Sequence, residues 1–360
     1  MTGLTLLNAI SKDLLGQQRV LLVTSSLGAK RRSCAYVQHV LRTQFNCLVQ
    51  LAVVNEPSIE ACADAMALSK RTQSSVVVGL GGSTVLDAAK FIGYGISSEI
   101  PIVMIPCVPA GGKEFSAVSE LFDWQNEERI VVSGARTRVH TVTHPHIFGL
   151  EDKVDARTDC RAFTASLSIF FNQSDSQLLS SAVNNNRQFI QSISEAMNVL
   201  LKTTGSGNKS FTEKDREVLF RPDSFVPDSS IADEFSLDVV IANLIAAKVA
   251  IPRSLLRCAL LYPCAHKRCL ESLPFGTFLQ QVTSSSTNEQ ALSKLAKLLK
   301  LTDIPQSGLF GLMATFLDQK ATEVFSEHVM EWIEEASTLP QYSHVDLTVE
   351  NAANFFSRSW

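Results

Sequence analysis

The sequence predicts an α/β domain followed by an all-helical domain, and three observations carry that prediction. Short β-branched runs alternate with longer amphipathic patterns from Arg19 to about residue 106. One buried-type run, Val76–Val78, leads into a glycine-rich turn at Gly79–Lys90 and then straight into a helical pattern. After about residue 150 helical periodicity takes over.

Val20–Thr24 reads as the first strand, Lys30–Arg42 as an amphipathic helix and Cys47–Val54 as the second strand. Pro57 stands where a helix can begin, and Ser58–Lys70 continues with apolar residues at helical spacing. Ser75–Val78 is the third strand, Thr84–Ile92 the next helix and Ile100–Ile105 the fourth strand. Such alternation indicates a Rossmann-like parallel sheet covered on both faces. The later helical patterns are Arg157–Phe171, Leu178–Leu201, Leu237–Ala250, Ser254–Tyr262, Glu289–Leu298, Gly311–Phe325 and His328–Glu335. Thr203–Lys209 and Arg221–Ser230 are rich in Gly, Ser, Pro and Asp and read as loops. The domains are therefore expected at 1–150 and 151–360, with a small-molecule ligand in the cleft between them.

Composition narrows the function. Hydrophobic residues make up 45% of the 360 and charged residues 19%, enough for a sizeable core and unlike a disordered chain. The net charge of −4 and the short cationic run Lys30–Arg32 argue against nucleic acid as a partner. No apolar stretch approaches the roughly 18 residues that a membrane span needs. Met1–Leu15 lacks a basic leader, which argues against a signal peptide and for a cytoplasmic protein. The eight cysteines are scattered without a CxxC pair, as free cytosolic thiols are. Cys264-x-His266-x-x-Cys269 gathers soft ligands, but its spacing fits no standard zinc template.

The turn is the most informative stretch. A strand ends in Gly79, Gly81 and Gly82, and Ser83 is placed to cap the helix that follows. Glycines let the backbone approach a pyrophosphate, and the N–H groups and dipole at the helix start hold the anion.

Gly81-Gly82-Ser83-x-x-x-Asp87-Ala-Ala-Lys90 after a hydrophobic strand resembles the signature of the iron-containing alcohol dehydrogenases, glycerol dehydrogenases and maleylacetate reductases. Leu80 replaces the first of the family's three glycines. A second stretch, Ile105 to Ser116, resembles the family's I-P-T-T-x-G-T-G-S-E-x-T cofactor loop, with both threonines and the inner serine changed. Leu347–Phe356 is similar to the family's final helix, so the resemblance spans the chain. It implies the dehydroquinate-synthase-like fold, a homodimer, and NAD or NADP held by Ser25, Gly79, Gly81, Gly82, Ser83, Asp87, Cys107, Val108 and Phe115. Ser25 stands where the family often has an aspartate that favours NAD by repelling a 2′-phosphate. Its presence removes that repulsion: either NADP is accepted or cofactor preference has lapsed.

The resemblance also locates a metal site that the residues no longer support. The family binds iron or zinc through one aspartate and three histidines of the helical domain. Those positions fall on Asp159, Phe163, Val239 and Arg253. Phe, Val and Arg cannot coordinate a divalent cation, so neither iron nor zinc is expected. The additional family histidine, often a proton relay, is Asn243. Arg253 pairs with Asp159 to plug the old site or binds an anionic ligand; both readings stay open. His140, His144 and His146 cluster in a stretch that reads as a surface connection.

Two functions follow. One is a metal-independent NAD(P)-dependent oxidoreductase acting on a small carbonyl or oxo-acid, with Arg253, Asn243 and Lys113 as its catalytic candidates. The other is a repurposed scaffold: a non-redox enzyme using the cleft, or a catalytically silent subunit.

Overall fold

The computed structural model describes residues 12–16, 18–107, 117–123, 125, 128–142, 147, 160–161, 163–164, 167, 171, 187–205, 211–219, 241–242, 244–245, 251, 253–302, 304–305, 308–317 and 319–338. The chain divides into two compact units, Met1–Lys153 with Phe220–Val226, and Val154–Leu219 with Pro227–Trp360.

In the first unit the order is α1 (Lys12–Leu15), β1 (Arg19–Thr24), α2 (Ser26–Ala29), α3 (Arg32–Thr43), β2 (Leu48–Val53), α4 (Ile59–Thr72), β3 (Val76–Gly81), α5 (Ser83–Ile96) and β4 (Ile102–Pro106). A hairpin of β5 (Val118–Asp123) and β6 (Glu128–Ser133) follows, then β7 (Val139–Thr141). The sheet order is β2-β1-β3-β4-β7, every pair parallel, while β5 and β6 form a separate antiparallel pair.

The parallel sheet forms because its strands are apolar on both sides. Val20 and Leu22 of β1, Val76, Val78 and Leu80 of β3 and Val103 and Ile105 of β4 pack with Cys34, Val37 and Leu41 of α3. Leu21, Val23, Val77, Ile102 and Met104 face the other way, onto Leu86, Ala89 and Ile92 of α5 and Cys62 of α4. Each fully buried Val or Leu contributes about 1.5–3 kcal/mol, so two such layers hold the sheet from both faces.

Several sequence expectations are corrected here. β3 runs on through the glycines to Gly81 instead of ending at Val78, because paired backbone needs no side chain: Gly79 and Gly81 keep register with Met104 and Pro106. Gly82, not Ser83, caps α5, so Ser83 is its first residue. α4 begins at Ile59 and not at Pro57, with Ser58 as its cap, the Ser58 side chain accepting from the Ala61 N–H at 3.2 Å. The stretch around His140 is a fifth strand and not a connection; His140 is exposed on β7 opposite Val103. His144 and His146 lie outside the described residues.

In the second unit the described helices are α6 (Arg187–Gly205), α7 (Glu213–Leu219), α8 (Arg253–Glu271), α9 (Leu273–Thr283), α10 (Asn288–Leu301), α11 (Gly308–Phe316) and α12 (Gln319–Ser337). Residues 160–161, 163–164, 167 and 171 are helical too. One core joins Leu255, Leu256 and Leu260 of α8, Leu312 and Met313 of α11, and Phe325, Val329 and Ile333 of α12. α8 was expected to stop at Tyr262, before Pro263, yet it continues to Glu271. Tertiary burial outweighs the one backbone hydrogen bond that proline forgoes. The break expected between Phe325 and His328 lies instead between Phe316 and Gln319, and α12 runs unbroken across Phe325. Among the described residues no helix is long and apolar enough to cross a membrane.

Candidate dinucleotide site

The chain leaves β1 for β2 on one side and then returns to β3 on the other, so the strand order reverses between β1 and β3. In open parallel sheets ligands bind at such a switch point, outside the carboxyl ends of the strands. Thr24 ends β1 and Gly81 ends β3. A hydrogen bond from Thr24 Oγ1 to the Leu80 carbonyl, 2.8 Å, ties the two ends together.

The turn on β3 opens there. From Val76 to Lys90 every residue is buried except Gly81, Gly82, Ser83 and Thr84. Gly82 caps α5 in an extended conformation and has no side chain to offer the first-turn N–H groups. No acidic residue lies in that first turn. The first N–H groups of a helix lack intrahelical partners and carry its positive end, so this opening suits an anion.

The glycines also have packing tasks. A Cβ on Gly79 would stand 2.7 Å from Ala89 Cβ, and one on Gly81 2.8 Å from Val85 Cβ. Both α5 contacts require glycine on the β3 face that meets the helix. Leu80 points to the opposite face, buried among Val37, Val103 and Cys107. The departure from three glycines is therefore absorbed by the core and leaves the α5 side of the turn open.

Asp87, expected among the cofactor contacts, is fully buried, and its Oδ1 lies 3.0 Å from Lys90 Nζ, also fully buried. Its backbone carbonyl accepts from Ser119 Oγ at 2.7 Å. The pair anchors α5 internally and ties it to β5. At the other end of α5, the Arg138 guanidinium donates to the carbonyls of Gly93, Ser97 and Ile100 at 3.2, 2.6 and 2.8 Å and stacks on Tyr94. Tyr94 Oη donates to the Ala117 carbonyl at 2.5 Å. Sequence reasoning missed Thr24, Tyr94 and Arg138; only the general surplus of carbonyls at a helix C-terminus hints that a cation belongs there.

Ser25 follows β1 directly. Its hydroxyl accepts from the Gly28 N–H at 3.0 Å, and the Ser26 N–H donates to Asn55 Oδ1 at 2.8 Å, beyond the end of β2. Cys107 follows β4; its N–H donates to the Gly81 carbonyl at 3.0 Å, and its buried Sγ lies 3.9 Å from Ser33 Oγ. Ser25, Gly81, Gly82, Ser83 and Cys107 thus share one edge of the sheet. Val108, Lys113 and Phe115 lie outside the described residues.

Of the positions onto which the resemblance maps the family's metal ligands, Phe163 is described: its ring is completely buried in the second unit, beside the buried Thr164. Neighbouring Arg161 donates from Nε to the Thr302 carbonyl at 2.9 Å, and Cys258 Sγ donates to the Arg161 carbonyl at 3.5 Å. Burial pushes the Cys258 thiol from 9.0 up to about 12, against the opposing pull of Arg257 and Arg161. Arg253 opens α8, but only its backbone is described. Asp159, Val239 and Asn243 lie outside the described residues, so an Asp159–Arg253 pairing is not described. On α8, Cys264 enters the core while His266 sits against Tyr262, ring centroids 6.2 Å apart. Among the described residues no three His, Cys, Asp or Glu side chains gather as a metal site.

Residues 3–142 match the family model described as Iron-containing alcohol dehydrogenase. No curated protein matches the sequence significantly. Solved structures match over nearly the whole chain. The 1,3-propanediol oxidoreductase is 16% identical, with a TM-score of 0.75 over 98% of this chain and 94% of its own. The alcohol dehydrogenase of Oenococcus oeni is 13% identical, with a TM-score of 0.76 over 99% and 96%. An NADH-dependent butanol dehydrogenase A of Thermotoga maritima is 14% identical, with a TM-score of 0.70 over 99% and 93%. Residues 3–142 are thus similar to the iron-containing alcohol dehydrogenase family model, and the whole chain shares the fold of these structures: a parallel sheet with helices, followed by a helical part.

Proposed function

We infer that this chain, an oxidoreductase by ancestry, is an NAD(P)-dependent enzyme that reduces or oxidises a small carbonyl or oxo-acid substrate without the family's metal. The observation that carries the cofactor half is the start of α5, which is glycine-capped, free of acid and partly exposed within a buried segment. Backbone N–H groups at Ser83 and Thr84 would hold the pyrophosphate, and Ser25 and Cys107 would flank it from neighbouring strand ends. The nicotinamide supplies hydride chemistry when bound. Arg253 and Lys113 are the residues proposed to orient an acidic substrate and stabilise charge on its oxygen, with Asn243 as a hydrogen-bonding neighbour. The buried Phe163 ring supports the metal-independent half, because a phenyl group at a ligand position offers a cation no lone pair. A cytoplasmic homodimer is proposed with this reading.

A second reading has its own observation. Gly79 and Gly81 are required by contacts with Ala89 and Val85, so the glycines persist on packing grounds alone. On that reading the redox reaction is lost and the scaffold serves as a non-redox enzyme or silent subunit.

Titrating the purified protein with NADH and NADPH while following nicotinamide fluorescence separates the two. Saturable binding with turnover of a small aldehyde or oxo-acid is expected. No binding at millimolar nucleotide sinks the oxidoreductase reading, and binding without turnover favours the second. Stoichiometric iron or zinc in the same sample would overturn metal independence.

A further inference from the structure

We propose that β2 is a docking edge on which a second copy of this chain pairs its own β2, antiparallel and centred on Leu51; this rests on the homodimer of the reading above and not on its redox chemistry. Among the described residues β2 and β7 are the outer strands of the parallel sheet. β7 is three residues long and carries the exposed His140, a short polar edge of the kind that resists further pairing. β2 is six residues long and reads Leu-Val-Gln-Leu-Ala-Val, with no charge, proline or glycine to blunt it. Three of its apolar side chains are exposed, Leu48 by 66%, Leu51 by 37% and Val53 by 48%. A long apolar edge of this kind is a template for another strand.

Backbone direction sets the register. The Leu48 N–H donates to the Gln18 carbonyl at 3.0 Å, and the Val54 N–H to the Thr24 carbonyl at 2.8 Å. Alternation along the strand therefore turns Leu48, Gln50 and Ala52 toward β1 and the N–H and C=O groups of Val49, Leu51 and Val53 outward. A two-fold axis on Leu51 pairs Leu51 with its own copy and Val49 with Val53 of the second chain, so all three outward residues are used. The exposed apolar side chains then cover one another across the pair. Charge selects the same alignment. Arg42, exposed near the end of α3, donates from Nη2 to the Val49 carbonyl at 3.5 Å, at one end of the outward row. Glu56, also exposed, stands three residues beyond the other end. Antiparallel pairing sets each Arg42 end against the Glu56 end of the other chain, twice by symmetry, whereas parallel pairing sets like against like. The occupant that β2 fits, apolar with opposite charges at its two ends in reverse order, is β2 itself.

Sedimentation velocity of the whole protein across the micromolar range should show a monomer–dimer equilibrium with a dissociation constant of about 1 μM, as small interfaces give. Leu51→Lys puts two ammonium groups beside the two-fold axis and should raise that constant about a hundredfold. Arg42→Glu and Glu56→Arg should each raise it about tenfold, and the double reversal should restore it. Leu51→Cys should cross-link to its own copy under a mild oxidant, and Leu48→Cys, which would stand opposite Val54, should not. If Leu51→Lys fails to fold, the two charge reversals and their restoration decide. A dimer that Leu51→Lys or both charge reversals leave intact overturns the docking edge alone. A monomer at every concentration, whether bare or bound through β2 to some other protein, overturns the homodimer with it. Neither result touches the cofactor reading, which nucleotide titration decides.

Discussion

The turn on β3 keeps most of the pattern that the resemblance implies, and the segment around Phe163 departs from it. At the turn the chemistry belongs to the backbone, and the side chains that matter are absent ones: glycines whose Cβ atoms would strike Ala89 and Val85. Around Phe163 the resemblance implies a site made of side chains, and a ring with no exposed surface stands at one of its positions. A site made of backbone is protected by the packing that shapes it. A site made of side chains is lost with each substitution, because the helix carrying them folds equally well around phenylalanine.

That contrast can be broken most forcefully at Phe163. Phe163→Ala should cost about 3–5 kcal/mol in urea unfolding, as large-to-small changes of buried aromatics do. A loss below about 1 kcal/mol would mean that the ring fills no core and that the segment is still a site, since exposed substitutions stay near that level. Gly79→Ala is next in size. Its single methyl must be placed 2.7 Å from Ala89, and overpacking of this kind costs about 1–3 kcal/mol. If the variant instead keeps full stability but loses nucleotide binding, the glycine serves the ligand and not the helix contact.

The smallest effect compares one thiol from each unit. Burial raises both Cys62 and Cys258 from 9.0 to about 12. Below pH 9 both states of the protein hold these protons and stability is unaffected. Between pH 9 and 12 the unfolded chain ionises while the folded one does not, so stability should fall as pH rises. Thermal melts from pH 8 to pH 11 check this; Cys62→Ala and Cys258→Ala should each flatten the decline. A decline unchanged in both variants would show that these thiols ionise in the folded protein.

Much of the sheet was legible because its strands are apolar on both faces and the intervening helices are not. The hairpin β5–β6 was not, since Val118–Asp123 and Glu128–Ser133 mix charge with apolar residues, and among their described side chains only Leu121 joins the apolar core. β7 is three residues long and is a strand only because β4 is beside it. At the site, the glycines and Ser25 were legible as a motif. The internal role of Asp87 was not: Lys90 one turn along could equally have reached solvent.

The sequence alone determined the alternation of strands and helices, the glycine-rich turn, and the Phe163, Val239 and Arg253 side chains at positions where the resemblance implies metal ligands, because these depend on local periodicity and on side-chain chemistry. Tertiary structure alone decided that Gly82 caps α5, that Asp87 and Lys90 close on each other, that Leu80 turns away from the turn, and that α8 runs through Pro263. Each of these turns on which face is buried and against what, and a chain acquires buried faces only when distant segments pack.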